Sequence, residues 1–283
     1  MFDRLSRSWG LVKASWTVLK QDKELLVFPL ISSLAMLVVV AGFALPVLGI
    51  AGLDGLSRTF DGDLSAVKYA VAFLFYVVQY FVIFYFNAAL VGAVMIRLEG
   101  GAPTVSDGLA VASSKLWNIL GYALIAATVG MVLRAIQERV GFIGKIIVGF
   151  IGAGWSIATY LVVPVLVTRD VGPTEAVRES ATLLKRTWGE NVIGQAGIGL
   201  AFGLIQLAIV LCGIAIVIAA IAAHSLVLVV AAIVIAVGAV LFTLLVQSAL
   251  SGIYSAALYR YATGNEGTGP FSADVLQLAF RPK

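Results

Sequence analysis

Five uncharged polar residues stand inside otherwise apolar stretches: Gln79, Asn87, Gln206, Gln247 and Ser251. Amides and hydroxyls donate and accept hydrogen bonds, but a hydroxyl attacks a bond only when a base activates it. The chemistry open to this set is therefore recognition or helix–helix bonding. The partners that catalysis or metal binding requires are missing. His224 is the only histidine and Cys212 the only cysteine, too few for a zinc site or an intrachain disulfide. Glu99, Glu138 and Glu190 sit at or beyond the ends of apolar runs, and no carboxylate lies well inside one. Buried carboxylates are the usual marks of proton or cation coupling, so that class loses support. The chain has no Gly-Lys-Ser/Thr phosphate loop. No catalytic residue, metal ligand or cofactor is assigned, and an enzyme is the weakest functional class.

The elements that carry these residues are membrane-length. Hydrophobic residues make up 61% of the chain and charged residues 12%. The mean hydropathy is +1.03. A soluble domain cannot hide that much apolar surface. A bilayer span needs about 20 apolar residues. Six runs qualify: Leu25–Ile50, Val67–Ile96, Leu116–Leu133, Ile143–Val167, Asn191–Ala223 and Ser225–Tyr261. The expected fold is all-α: a polytopic helical membrane protein with six transmembrane helices in three hairpins and amphipathic cytoplasmic surface helices. Runs five and six meet at His224 and are long for single spans. Strong tilt, or a stretch outside the membrane near Gly213–Leu226, has to absorb the excess. Gln206 and Gln247 lie at matching depths, about 20 Å from their cytoplasmic ends at 1.5 Å per residue, so they are expected to bond across a helix pair. Gly199 and Gly203 form a small-xxx-small pair suited to close backbone approach.

Lys and Arg are unevenly placed, 14 on the side of the termini against 5 on the other. The positive-inside rule then places both termini in the cytoplasm. The first apolar run is too long for a cleavable signal and is expected to stay as an anchor. The sequence pI near 9.2 is explained by anionic lipid headgroups, and no nucleic acid is needed.

The cytoplasmic segments are themselves amphipathic. Leu5, Trp9, Val12, Trp16 and Leu19 form one helical stripe, with Lys13 and Lys20 off it. Such a helix is expected to lie in the headgroup layer, with Trp turned inward and Lys outward. Asp22 reads as a cap for the first span. Two later loops resemble each other. Ala102-Pro103-Thr104 leads to Lys115-Leu116-Trp117 and then Asn118-Ile119-Leu120-Gly121. Gly172-Pro173-Thr174 leads to Lys185-Arg186-Thr187-Trp188 and then Asn191-Val192-Ile193-Gly194. Pro marks a first helical turn. Thr104 with Asp107, and Gly172 with Glu175, read as capping pairs. Trp117 and Trp188 mark the interface, and Lys185 and Arg186 the headgroup charge. The expected organisation is one membrane domain of three units, about 1–97, 98–168 and 169–262, followed by a cytoplasmic tail, 263–283. In the tail, Phe271, Val275 and Leu278 form a short amphipathic stretch.

Span two carries an aromatic stripe of Tyr69, Phe73, Tyr76, Tyr80 and Phe84, expected to be packing surface. Pro164 should kink span four and free the Tyr160 carbonyl. Pro46 should kink span one near its outer end, whereas Pro29 reads as a start feature. Arg134 is expected at the outer interface, where it can snorkel.

Several segments together carry a resemblance: Ser6-Arg7-Ser8-Trp9, Asp22-Lys23-Glu24-Leu25, Phe28-Pro29-Leu30, Phe86-Asn87-Ala88-Ala89, Trp155 with Val163-Pro164-Val165, and Gly172-Pro173 through Thr187-Trp188-Gly189-Glu190. The chain resembles, over essentially its whole length, an uncharacterised family of prokaryotic six-span integral membrane proteins, a domain of unknown function. That resemblance implies six spans and a prokaryotic origin, and it brings no activity or site residues with it. Three functions remain in view. The first is a protein that binds or organises membrane lipids without catalysis. The second is a channel or transporter for a small uncharged or lipidic substrate, which requires the five polar residues to line one cavity. The third is a homo-oligomer or a subunit of a membrane complex, held by the glycine faces.

Overall fold

The computed structural model describes residues 13–61, 65–186 and 188–264. Among them there is no strand. Residues 13–21 are helical (α1), and a 3-10 turn at Lys23–Leu26 follows. The remaining helices are α2 Val27–Asp61, α3 Ser65–Leu98, α4 Val105–Ser114, α5 Leu116–Arg139, α6 Phe142–Ala158, α7 Val162–Thr168, α8 Pro173–Arg186, α9 Trp188–Ala222 and α10 Leu226–Ala262. Six stretches are long and apolar enough to cross a membrane: Lys23–Leu45, Tyr69–Leu98, Leu116–Arg139, Phe142–Thr168, Ala201–Ala222 and Leu226–Ala262. The protein is a multi-pass helical membrane protein.

The last two spans are single unbroken helices of 35 and 37 residues. The first runs on past Gly213 to Ala222 and the second starts at Leu226, so helix occupies nearly all of the Gly213–Leu226 stretch. The chain turns at 223–225, where His224 takes a positive φ of 50° and Ser225 caps α10 by accepting from the Leu228 N–H at 3.4 Å. At 1.5 Å per residue each helix is over about 50 Å long, well beyond a hydrocarbon core of about 30 Å.

Helix α3 is the hub. It packs against α2, α4, α5, α7 and α10. The short helices α1, α4 and α8 form a collar at one end of the bundle, and the buried core lies at that end. It joins Phe28 of α2, Ala88 to Leu98 of α3, Ile119 and Tyr122 of α5, Val162 to Leu166 of α7 and Val246 to Tyr259 of α10. Lipid chains are as apolar as Leu, so helices associate by close packing rather than by hydrophobic transfer. Small residues supply that closeness. A Cβ added to Gly252 of α10 would lie 2.4 Å from Leu90 Cδ2 of α3, and one added to Gly108 of α4 would lie 2.6 Å from the Ala89 carbonyl oxygen. Toward the far end the helices present their apolar side chains outward. Leu37, Phe150 and Ile235 are 66%, 75% and 70% exposed.

Each collar helix buries one face on the spans. Ala14, Ser15, Val18 and Leu19 are buried in α1, Gly108 and Ala112 in α4, and Ala176, Ser180, Leu183 and Leu184 in α8. The collar therefore rests on protein as well as on the membrane boundary. In α4 the Thr104–Asp107 pair forms a full capping box. Pro103 precedes that cap instead of occupying the first turn, whereas Pro173 does open α8.

Three local expectations are corrected. Asp22 makes no side-chain capping bond, because its carboxylate is taken by Arg97 at the end of α3. A fork-shaped guanidinium outcompetes backbone N–H groups for a carboxylate. Pro164 does not merely kink span four: the helix stops at Ala158 and restarts at Val162. A Cβ added to Gly199 or Gly203 would meet nothing within 4 Å, so among the described residues the pair makes no close crossing.

Candidate functional site: a cavity between α2, α3 and α10

The interruption in span four shapes a cavity lined by both apolar and uncharged polar residues. Pro164 has no N–H, and its ring excludes a helical carbonyl four residues back, at Tyr160. The helix yields at Thr159–Leu161. Broken backbone inside a membrane must find partners, and Ser180 of α8 provides them. Its hydroxyl donates to the Ala158 carbonyl at 2.7 Å and accepts from the Leu161 N–H at 3.1 Å. Ser180 is fully buried. The break leaves Tyr160 beside α10, where its hydroxyl donates to the Ser251 carbonyl at 3.3 Å.

Tyr160 forms one wall of a cavity of about 210 Å³. Ser32 of α2, Asn87 of α3, and Ser248, Ser251 and Ser255 of α10 form the others. The three serines recur at +3 and +4, which stacks them on one face of α10. Gly252, between them, lets α10 lie directly against α3; a Cβ there would stand 3.5 Å from Asn87 Oδ1. Ser255 donates to the Gly252 carbonyl at 2.8 Å. No Asp, Glu, Lys, Arg or His lines the cavity. Its edge includes Ile83, 39% exposed, and Ser248, also exposed. Asn87 lies ten residues before Arg97 on α3, about 15 Å deeper along the helix. Ile83 and Ser248 place the cavity's open edge between α3 and α10.

Of the five intramembrane candidates, Asn87 and Ser251 meet in this cavity. Gln206 and Gln247 instead bond each other, Nε2 donating to Oε1 at 3.2 Å, across the α9–α10 contact as their matching depths led one to expect. Gln79 is half-buried on α3 and lines no described cavity with the others. None of the described cavities is lined by all five residues.

At the collar, Lys13, Lys20, Trp16, Trp117 and Lys185 are all exposed, and Trp117 is 78% exposed. Lys20 Nζ stands 5.6 Å from the Trp16 ring centroid. Trp9 lies outside the described residues, as do the side chains of Arg186 and Trp188 and the tail beyond 264. Polar ties that close the second hairpin escaped the sequence reading. Lys115 Nζ pairs with Asp170 at 3.1 Å, and Asn118 Nδ2 donates to the Val171 carbonyl at 3.1 Å. Arg169 pairs with Glu179 of α8, which raises the guanidinium pKa above its ordinary value. Ser180 escaped for another reason: nothing local separates it from the other polar residues of α8.

Curated proteins provide no match to the chain. A family model matches residues 66–269. That stretch begins at the start of α3 and holds every cavity wall except α2. By this match the chain belongs to the family of unknown function DUF6159.

Proposed function

We propose that this protein binds membrane lipids without catalysis, with the collar at the cytoplasmic face of a prokaryotic inner membrane. The observation that carries the reading is a cavity without charged residues whose edge is exposed at Ile83 and Ser248; on the six-span reading we take that edge to stand at lipid depth, open sideways. An aqueous solute has no route to such a mouth, whereas a lipid reaches it by lateral diffusion. The cavity is smaller than the roughly 300–1,000 Å³ of a drug-sized site. It suits the glycerol-ester region of a lipid, whose carbonyls and hydroxyls match the Asn87 amide and the serine hydroxyls. Phosphate would find no cation there. The exposed Trp and Lys of the collar supply headgroup contacts at the basic end.

The transporter reading loses support because Gln206 and Gln247 satisfy each other. The proposed three-unit organisation draws support from α4 and α8. Each is a short docked helix followed by a span.

The test is lipid retention. The full chain, purified in mild detergent, is extracted and its bound lipid quantified. Wild type should hold lipid in stoichiometric amount. Asn87→Leu and Ser251→Leu, which fill the cavity with apolar atoms, should retain at least about tenfold less if one charge-free hydrogen-bond set and its enclosure are lost. Equal retention by wild type and both folded variants rules the reading out.

A further inference from the structure

At the end of the bundle away from the collar, a second groove of about 580 Å³ runs between α3, α5 and α6. It is lined by Tyr76 and Tyr80 of α3, Gly130 and Arg134 of α5, and Gly149 and Gly152 of α6. Arg134 lies 18 residues along α5 from Leu116, about 27 Å, which places it at the opposite boundary of a hydrocarbon core of about 30 Å. Arg134 Nη1 donates to the Tyr76 hydroxyl at 2.5 Å, and its Nε donates to Glu138 at 3.1 Å. Both charged side chains remain 64% exposed. Gly149 and Gly152 lie about 10 and 15 Å inward from Phe142 along α6. The groove is therefore charged and aromatic at its rim and smooth and apolar toward the membrane interior.

We propose that this groove holds a zwitterionic phospholipid of the outer leaflet. Glu138 does not line the groove but pairs with Arg134 beside its rim; the phosphate sits on Arg134, the head ammonium takes the place of Arg134 on Glu138, and an acyl chain lies over Gly149 and Gly152. Charge complementarity selects the class. One cation and one anion side by side match a head that carries both charges. An anionic head meets Glu138 without compensation. Tyrosine faces attract an ammonium through their quadrupoles, and Arg is suited to phosphate. Gly149 has open space where a Cβ would stand, so the chain path is free. The inner cavity carries no charge and the collar lysines favour anionic heads, so a preference for phosphatidylethanolamine over phosphatidylglycerol reports this groove.

The experiment offers the purified full chain equal amounts of phosphatidylethanolamine and phosphatidylglycerol and reads the retained lipid by native mass spectrometry. Wild type should prefer phosphatidylethanolamine. Arg134→Gln should lower its retention about tenfold, as expected for loss of a charged hydrogen bond. Glu138→Gln should abolish the preference, and Gly149→Leu should displace the lipid from the groove. A wild-type preference for phosphatidylglycerol overturns the proposal. So does unchanged ethanolamine preference in both Arg134→Gln and Gly149→Leu. Asn87→Leu should leave the preference intact. If it removes the preference while Arg134→Gln does not, selectivity belongs to the inner cavity and this assignment fails. If Asn87→Leu leaves the total amount of retained lipid unchanged while the Arg134 effect on preference holds, the inner-cavity reading fails and this one stands.

Discussion

Arg97, in the last turn of α3, forks onto both carboxylate oxygens of Asp22, 75 residues earlier in the chain. The pair closes the first hairpin at the collar. The next hairpin is closed at the same end by Lys115 and Asp170, with the charges in the opposite order. The Asp22 and Arg97 side chains are 11% and 27% exposed, so the first pair is largely shielded, while Asp170 is 96% exposed and its pair is a surface one.

Asp22→Asn should destabilise the protein by about 1–3 kcal/mol, less than a fully buried pair because solvent reaches Arg97. Arg97→Lys should also lose stability, since an ammonium cannot make the two-pronged contact. Lys115→Gln should cost less than about 1 kcal/mol. Thermal unfolding in detergent ranks the three. Equal effects of the first and last changes would mean that the Asp22–Arg97 geometry has no special role.

Ser180→Ala leaves the Ala158 carbonyl and the Leu161 N–H without their partner inside the bundle. The expected loss is about 1–3 kcal/mol. Because Tyr160 lies in the same break, lipid retention should fall with stability. A Ser180→Ala protein with wild-type melting temperature would show that water or another group serves the broken backbone equally well.

Gly252→Ala drives a methyl toward Leu90 at 2.4 Å and should cost about 1–3 kcal/mol through overpacking between α3 and α10. Leu90→Ala in the same chain should recover part of that loss. Gly199→Ala and Gly203→Ala, with open space at both positions, should be near neutral. Melting temperatures of the singles and the double mutant decide the matter.

Acid should loosen the start of α4. Hydrogen bonds from the Thr104 backbone N–H and hydroxyl hold the Asp107 carboxyl below its ordinary value. A depressed folded-state pKa means the cap's contribution is fully present above the ordinary carboxylate range. It is lost as pH falls through the lowered value. Amide exchange in the first turn of α4 should speed up, relative to the intrinsic rate, below that range. Asp107→Asn should flatten this dependence. A first turn equally protected on both sides of the transition contradicts the assignment.

How much was legible follows from the range of each interaction. Thr104 and Asp107 are three residues apart, so their box is a local pattern. Gln206 and Gln247 were paired correctly because equal distance from two helix ends fixes equal depth. Asp22 was misread as a cap because a helix start is local, whereas Arg97 arrives from the end of another span. Pro164 announced a disturbance in span four, but how far the helix opens depends on Ser180, which only tertiary packing brings near. Gly199 and Gly203 form a legible motif, yet the motif names no partner, and in this chain both glycines face outward. Asn87 and Ser251 were visible as polar exceptions. Their meeting in one cavity, with Tyr160 and Ser32, needed the crossing of α3 and α10 at Gly252.

The central claim is that the cavity beside Asn87 admits lipid from the bilayer. The most direct measurement irradiates the full chain in nanodiscs containing a phospholipid with a photoreactive group next to its glycerol, then maps the adducts by peptide mass spectrometry. Adducts on Asn87, Tyr160 or Ser251 are the predicted result. Adducts confined to outward residues such as Leu37 and Ile235, with none on the cavity walls, would contradict the account.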